Sequence, residues 1–180
     1  MSPTLIVLEG PDGAGKTRHV RALTTALTRA QIHAEWFEHQ PSALNACGAA
    51  PDPWTAALHY ATERDRLRRR IARGSAADVL VCDRWWLSTQ VVGLVLDNDA
   101  LGRPALTVVL TAPDDVLDAR LAARGTPTTD RDREIRRTYE SLARVSGLPL
   151  IDTSGPPEAV TARLVELVRG VLPRQSQEGA

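Results

Sequence analysis

The stretch Thr4–Thr17 reads TLIVLEGPDGAGKT, an apolar run of strand length that breaks into a glycine-rich octet. The run Thr4–Glu9 is nearly continuous and partly β-branched, as expected of a strand buried on both faces of a parallel sheet. Behind the octet, Val20, Leu23, Leu27 and Ala30 recur at helical spacing on one face. Strand, glycine turn and helix therefore follow in order, the context in which Gly10–Thr17, a match to GxxxxGK(S/T), carries a mechanism. Gly10, Gly13 and Gly15, with Asp12 and Ala14 between them, let the backbone wrap so that its N–H groups and the helix N-terminus converge on the phosphates of a nucleotide such as ATP. Lys16 is expected to reach the β- and γ-phosphates, and the Thr17 hydroxyl to bind Mg²⁺.

Outward from this unit the chain keeps the same rhythm. Residues 33–38 read as a short second strand, and 40–53, rich in Pro, Ala, Gly and Asn, as a loop, either alone or with a short helix in it. Asp52 and Pro53 form a cap and first-position pair that opens a long helix to about Arg73. Residues 79–82 form a third strand ended by Asp83, followed by a helix near 86–97 and a strand at 105–111. A helix opened by Pro113 carries Asp114 and Asp115 in its first turn. After a polar break at 125–130 come a charged helix at 131–145, a strand at 148–152 and a last helix at 157–171. Residues 173–180 lack apolar anchors and read as a disordered tail. Five apolar strands alternating with helices imply right-handed crossovers and an α/β sandwich of three layers, a parallel sheet covered on both faces. Ligands of such sheets bind at the carboxyl ends of the strands, which singles out Glu9, Asp83 and Asp152.

Composition narrows the field further. With 180 residues, 43% hydrophobic and 24% charged, one core is expected, spanning 1–172 and needing no staple. The 22 basic residues equal the 22 acidic ones, so no overall field exists to hold a nucleic acid polymer. Cys47 and Cys82 lack metal-ligand spacing, the start has no basic leader, and no apolar run approaches the roughly 18 residues that would span a membrane. A cytoplasmic protein without membrane partners is the expectation. Of the 22 basic residues 21 are arginine, and the one lysine is Lys16, a compact point charge retained where a planar fork would not serve. That single lysine also excludes the NKxD guanine-reading motif of switch GTPases.

Asp83 has two readings, an acid that holds or orients the metal beside the loop, or a cap of the following helix. On the helix 53–73, Ala57, Tyr60, Ala61, Leu67 and Ile71 form an apolar stripe with Arg64 in its middle. A guanidinium there meets either an anionic ligand or an internal acid; Tyr60 is either core or a stacking platform. Arg84, next to Asp83, lies at the mouth of the sheet. Arg120 and Arg124 share a helix face just before GTPTTDRDRE, which reads either as a mobile lid, about 120–134, with Arg131 and Arg133 beyond it, or as an exposed loop.

Four segments in order, LEGPDGAGKT, LHYATER, CDRWWLST and LIDTSG, together with RLAARGTPTTDRDRE, resemble the thymidylate kinases among the P-loop nucleoside-monophosphate kinases. The resemblance covers most of the chain. It implies a P-loop NTPase sheet of five parallel strands, order 2-3-1-4-5, with an arginine-rich lid, and a homodimer. It also implies that Asp12 contacts the acceptor sugar, Tyr60 stacks on its base, Arg64 and Arg84 hold its phosphate with Ser88 nearby, and Asp83 acts through Mg²⁺. Catalysis would rest on Lys16 and a lid arginine, Arg120, Arg124 or Arg131. Two stretches depart from the family pattern on the acceptor side: Val91-Val92-Gly93 stands where Ala-Tyr-Gln is usual, and His39-Gln40-Pro41-Ser42 only echoes Glu-Pro-Gly-Gly. The expected activity is ATP-dependent phosphorylation of dTMP or a related pyrimidine deoxynucleotide. A kinase for another small acceptor, or a P-loop ATPase or nucleotide-binding regulator, are the competing readings.

Overall fold

The computed structural model describes residues 3–37, 53–74, 76–91 and 103–173; the side chains of residues 53–61, 64 and 89 lie outside that set. In chain order the elements are β1 (Thr4–Glu9), α1 (Lys16–Arg29), β2 (Ala34–Phe37), α2 (Pro53–Ala72), β3 (Val79–Asp83), α3 (Trp86–Val91), β4 (Leu106–Thr111), α4 (Asp114–Ala122), α5 (Asp130–Val145), β5 (Leu150–Asp152) and α6 (Pro157–Val171). The strands form one sheet in the order β2-β3-β1-β4-β5, and every pairing is parallel. This is the expected α/β architecture and strand order.

Local chemistry explains where boundaries moved. Helix α5 begins at Asp130 because Thr129 and Asp132 close a reciprocal capping box. It ends in a paired reversal: Gly147 at φ 64° donates to the Arg144 carbonyl and Leu148 to the Ala143 carbonyl. Leu148 is thus spent on terminating the helix, and β5 starts at Leu150 rather than at 148. Pro113 occupies the cap position of α4, with Asp114 and Asp115 in the first turn. The predicted cap Asp52, the 40–52 loop, residues 92–97 of the predicted helix and the tail from 174 lie outside the described residues.

The pleat sorts the strands' side chains into two layers. Ile6 and Leu8, with Val79, Val81, Val108 and Leu110, pack beneath α1 and α6 against Val20, Leu23, Leu27, Val160, Leu164 and Val168. Leu5 and Val7, with Leu80 and Cys82, face the other way toward Phe37, Leu67 and Trp85. Leu87, Val109, Tyr139 and Ala143 join α3 and α5 to that second layer. Each fully buried aliphatic side chain contributes roughly 1.5–3 kcal/mol of transfer free energy, and the central strand β1 is buried from Leu5 to Glu9. The layer rule has a direct consequence for the site. Asp83 shares the orientation of Val79 and Val81, toward α1, whereas Glu9 shares that of Leu5 and Val7, toward α3 and α5.

Candidate active site

The octet after β1 adopts the wrapped conformation that its glycines allow. Gly10 has φ +139°, and a Cβ there would stand 2.2 Å from the Leu110 carbonyl oxygen on β4, so no other residue fits. Gly13 has φ +87°, with the Leu117 carbonyl 3.2 Å from where a Cβ would be. Helix α1 opens at Lys16 with no side-chain cap and no acid in its first turn. Its N-terminal N–H groups and positive dipole end are therefore left for an external anion.

Lys16 is buried, its Nζ donating to the Pro11 carbonyl at 2.8 Å and lying 3.7 Å from Asp12 Oδ1. Burial, reinforced by the Arg84 charge, lowers its pKa to about 8. Thr17, one residue on, donates its hydroxyl to Asp83 Oδ2 at 2.6 Å, while Asp83 Oδ1 is buried with no hydrogen-bond partner. An orphaned carboxylate oxygen beside a hydroxyl is an oxygen donor set of the kind Mg²⁺ takes when it keeps its waters and phosphate ligands. The chemistry of Thr17 and Asp83 therefore fits a hydrated Mg²⁺. Among the described residues no group of three or more His, Cys, Asp or Glu side chains forms a protein-only metal cage.

Opposite stands Arg84. It carries φ +71°, an uncommon conformation for a non-glycine residue, with its amide bonded to the Leu8 carbonyl at 2.9 Å. Its Nη2 pairs with Asp12 Oδ1, and the Arg84 guanidinium, ahead of Lys16, holds the Asp12 carboxyl below the usual carboxylate range. Asp12, Gly13, Gly15, Lys16, Thr17, Arg18, Asp83, Arg84 and Arg124 line a single cleft. β1 and β3 are neighbours with Leu8 opposite Asp83, so the loop after one and the Asp-Arg pair after the other face across it.

The remaining expected residues fall in several places. Arg120 bonds the Gly13 carbonyl at 3.2 Å and the Thr153 carbonyl at 2.6 Å, tying the phosphate loop to the turn after β5. Arg124 lines the cleft, and Arg131 is exposed at the start of α5. Ser88 is buried behind Arg84, its hydroxyl bonded to Glu9 Oε2 and 2.8 Å from the Tyr139 hydroxyl. The side chains of Tyr60 and Arg64 lie outside the described residues, though both positions fall on α2. Glu9 and Tyr139 were not among the expected site residues. Glu9 stood out in the sequence only as a strand-end acid, and its in-or-out orientation needed the register of the sheet to read.

An uncapped helix behind a wrapped glycine loop, one buried lysine, a hydroxyl-carboxylate pair and facing arginines define a P-loop nucleotide-binding α/β protein. The family model described as thymidylate kinase matches residues 8–164. The chain is similar to the thymidylate kinases of Levilactobacillus brevis, 31% identical over 94% of this chain and 96% of that one, and of Latilactobacillus sakei, 30% identical over 91% and 94%. That of Rhodopseudomonas palustris is 28% identical over 97% and 92%. The chain belongs to the thymidylate kinase family and is a nucleoside-monophosphate kinase. No helix among the described residues is long and apolar enough to cross a membrane.

Proposed function

We propose that this chain transfers the γ-phosphoryl group of ATP to the 5′-phosphate of dTMP, giving dTDP and ADP. The observation that carries this reading is one cleft lined by four cations, Lys16 and Arg18 at the α1 N-terminus together with Arg84 and Arg124, with Lys16 and Arg84 meeting at Asp12. Lys16 and the α1 N-terminus are assigned to the donor's phosphates, with Gly10–Thr17 supplying backbone N–H groups; Arg84 is assigned to the acceptor phosphate with Arg64 beside it, and Tyr60 to the base.

An acceptor phosphate oxygen is anionic at neutral pH, because the second ionisation of a phosphate ester lies at about 6. It attacks the γ-phosphorus in line as the bond to the β–γ bridging oxygen breaks, and no proton need move. The residues' work is positioning and charge neutralisation. Lys16 neutralises the leaving phosphates. Thr17 and Asp83 would hold Mg²⁺, which would supply charge neutralisation to the donor's phosphates. Arg124, already in the cleft, is assigned to the transferring group; Arg120 braces the loop beneath it, and Arg131 approaches as the 120–134 lid closes. We further assign the protein to the cytoplasm, as a homodimer, with a domain spanning 1–172.

The test is coupled ADP release with ATP, Mg²⁺ and a panel of nucleoside monophosphates, with nucleosides as controls. Release dependent on dTMP at one ADP per acceptor supports the reading. Release without any acceptor, or with nucleosides alone, overturns it.

A further inference from the structure

The transfer as described makes no use of Glu9, yet Glu9 is fully buried beside the phosphate loop, 0% exposed. A buried carboxylate is costly unless its oxygens are met. Here both are: Oε1 accepts from the Trp85 amide at 2.7 Å and the Ser88 amide at 3.3 Å, and Oε2 from the Ser88 hydroxyl. The Tyr139 hydroxyl stands 2.8 Å from Ser88 Oγ and 3.5 Å from Glu9 Oε2, and it accepts from Arg84 Nη1 at 3.4 Å. The four side chains form a directed chain, guanidinium to phenol to hydroxyl to carboxyl, with the Arg84 cation at one end and at the other the Glu9 carboxyl, whose pKa burial raises against the hydrogen bonds it accepts. Each hydroxyl in it has one donor and one acceptor partner, the condition under which a buried polar network rigidifies rather than destabilises.

Resting on the function just assigned, we propose that Tyr139 is a positioning residue for the acceptor phosphate, holding Arg84 in place through the Ser88–Glu9 network. Three observations converge on it. Arg84 is held at its backbone by Leu8 and at Nη2 by Asp12, which belongs to the donor loop. Tyr139 adds a hold on Nη1 from α5, the helix that follows the segment 120–129. Tyr139 is itself 1% exposed and packed with Leu87, Val109 and Ala143, so its hydroxyl has a fixed address. Burial, with the neighbouring Glu9 charge, pushes the phenol above its ordinary range, so it stays protonated and remains a donor toward the carboxylate. The arrangement makes the orientation of the acceptor arginine depend on the seating of the lid helix.

Tyr139→Phe keeps the ring and its packing and removes only the hydroxyl. The readout is the acceptor KM and the ATP KM measured separately, together with acceptor Kd by calorimetry in the absence of ATP. A five- to tenfold rise in acceptor KM and Kd, with ATP KM within twofold, is expected. Glu9→Gln, which retains the shape but not the charge, is expected to move acceptor KM the same way, and the double variant to be no worse than the poorer single one. Should Tyr139→Phe fail to fold, Glu9→Gln alone decides. Acceptor and ATP constants that rise together, an unchanged acceptor KM, or effects of the two substitutions that multiply would overturn the proposal. Wild-type protein that shows no acceptor-dependent ADP release overturns the functional assignment instead, and the two failures are thereby distinct.

Discussion

Raising the pH across the titration of Lys16 perturbs the donor side with no substitution at all. Burial lowers this lysine from an ordinary 10.5 to about 8 in the ligand-free protein. A triphosphate at hydrogen-bond distance restores the ammonium's favourable surroundings, so nucleotide binding near pH 8 draws a proton from solvent. About half the molecules carry neutral Lys16 at pH ~8, so the uptake is ~0.5 proton per nucleotide, and between pH ~7 and ~9 the affinity falls roughly tenfold, ~1.4 kcal/mol. The nucleotide's own phosphate ionisation, at about 6, is complete over this range. Calorimetry of a non-hydrolysable ATP analogue in buffers of different ionisation enthalpy counts the protons. No uptake at pH 8 combined with flat affinity would refute the reasoning, and Lys16→Met, expected to take up none, is the control. The same shift acts on folding with the opposite sign to a raised lysine: the folded state releases its proton first, so this group's contribution to ligand-free stability grows as pH rises from about 8 toward 10.5.

Gly10→Ala should lower stability in urea by at least ~2 kcal/mol, from the Leu110 carbonyl collision and the glycine-only backbone together. Gly125→Ala, with φ +75° but nothing within 4 Å of its Cβ, is expected to lose only ~1–2 kcal/mol of left-handed strain, and equal losses at the two sites would contradict the close approach. Asp83→Asn is expected to reduce kcat ~10–100-fold and to raise the Mg²⁺ concentration needed for half-maximal rate; an unchanged Mg²⁺ dependence would return Asp83 to a helix-capping role. Arg64→Ala should raise the acceptor KM ~10-fold or more, as for loss of a charge-assisted bidentate contact, with the ATP KM unchanged. An unaltered acceptor KM would make Arg64 a structural residue of α2.

The order of strands and helices was legible because the central strands β1, β3 and β4, buried on both faces, read as continuous apolar runs, while the edge strands β2 and β5 are shorter and partly exposed. The phosphate loop was legible for a stricter reason: three glycines, a lysine and a hydroxyl at fixed offsets satisfy a demand of backbone geometry, and Gly10 against Leu110 is that demand made visible. Asp83 was legible as a strand-end acid, but its meeting with the Thr17 hydroxyl needed the pleat, which turns it toward α1. Glu9 and Tyr139 escaped because their meeting is a tertiary fact. They are 130 positions apart, and only the placing of α5 over β1 and β4 joins them. Arg120 looked like its neighbour Arg124 by spacing, yet one turn of helix sends the first to Gly13 and Thr153 and leaves the second lining the cleft.

Two acids at adjoining strand ends, Glu9 and Asp83, are turned to opposite sides of a single sheet by a one-residue difference in phase. The hydrocarbon of β1 and β3 lies between them, yet both charges reach Lys16 and Arg84. On the function proposed, Thr17 with Asp83 serves the donor from the α1 face and Arg84 with the Glu9 network serves the acceptor from the α3–α5 face, and the Asp12–Arg84 pair is the seam where the two layers meet.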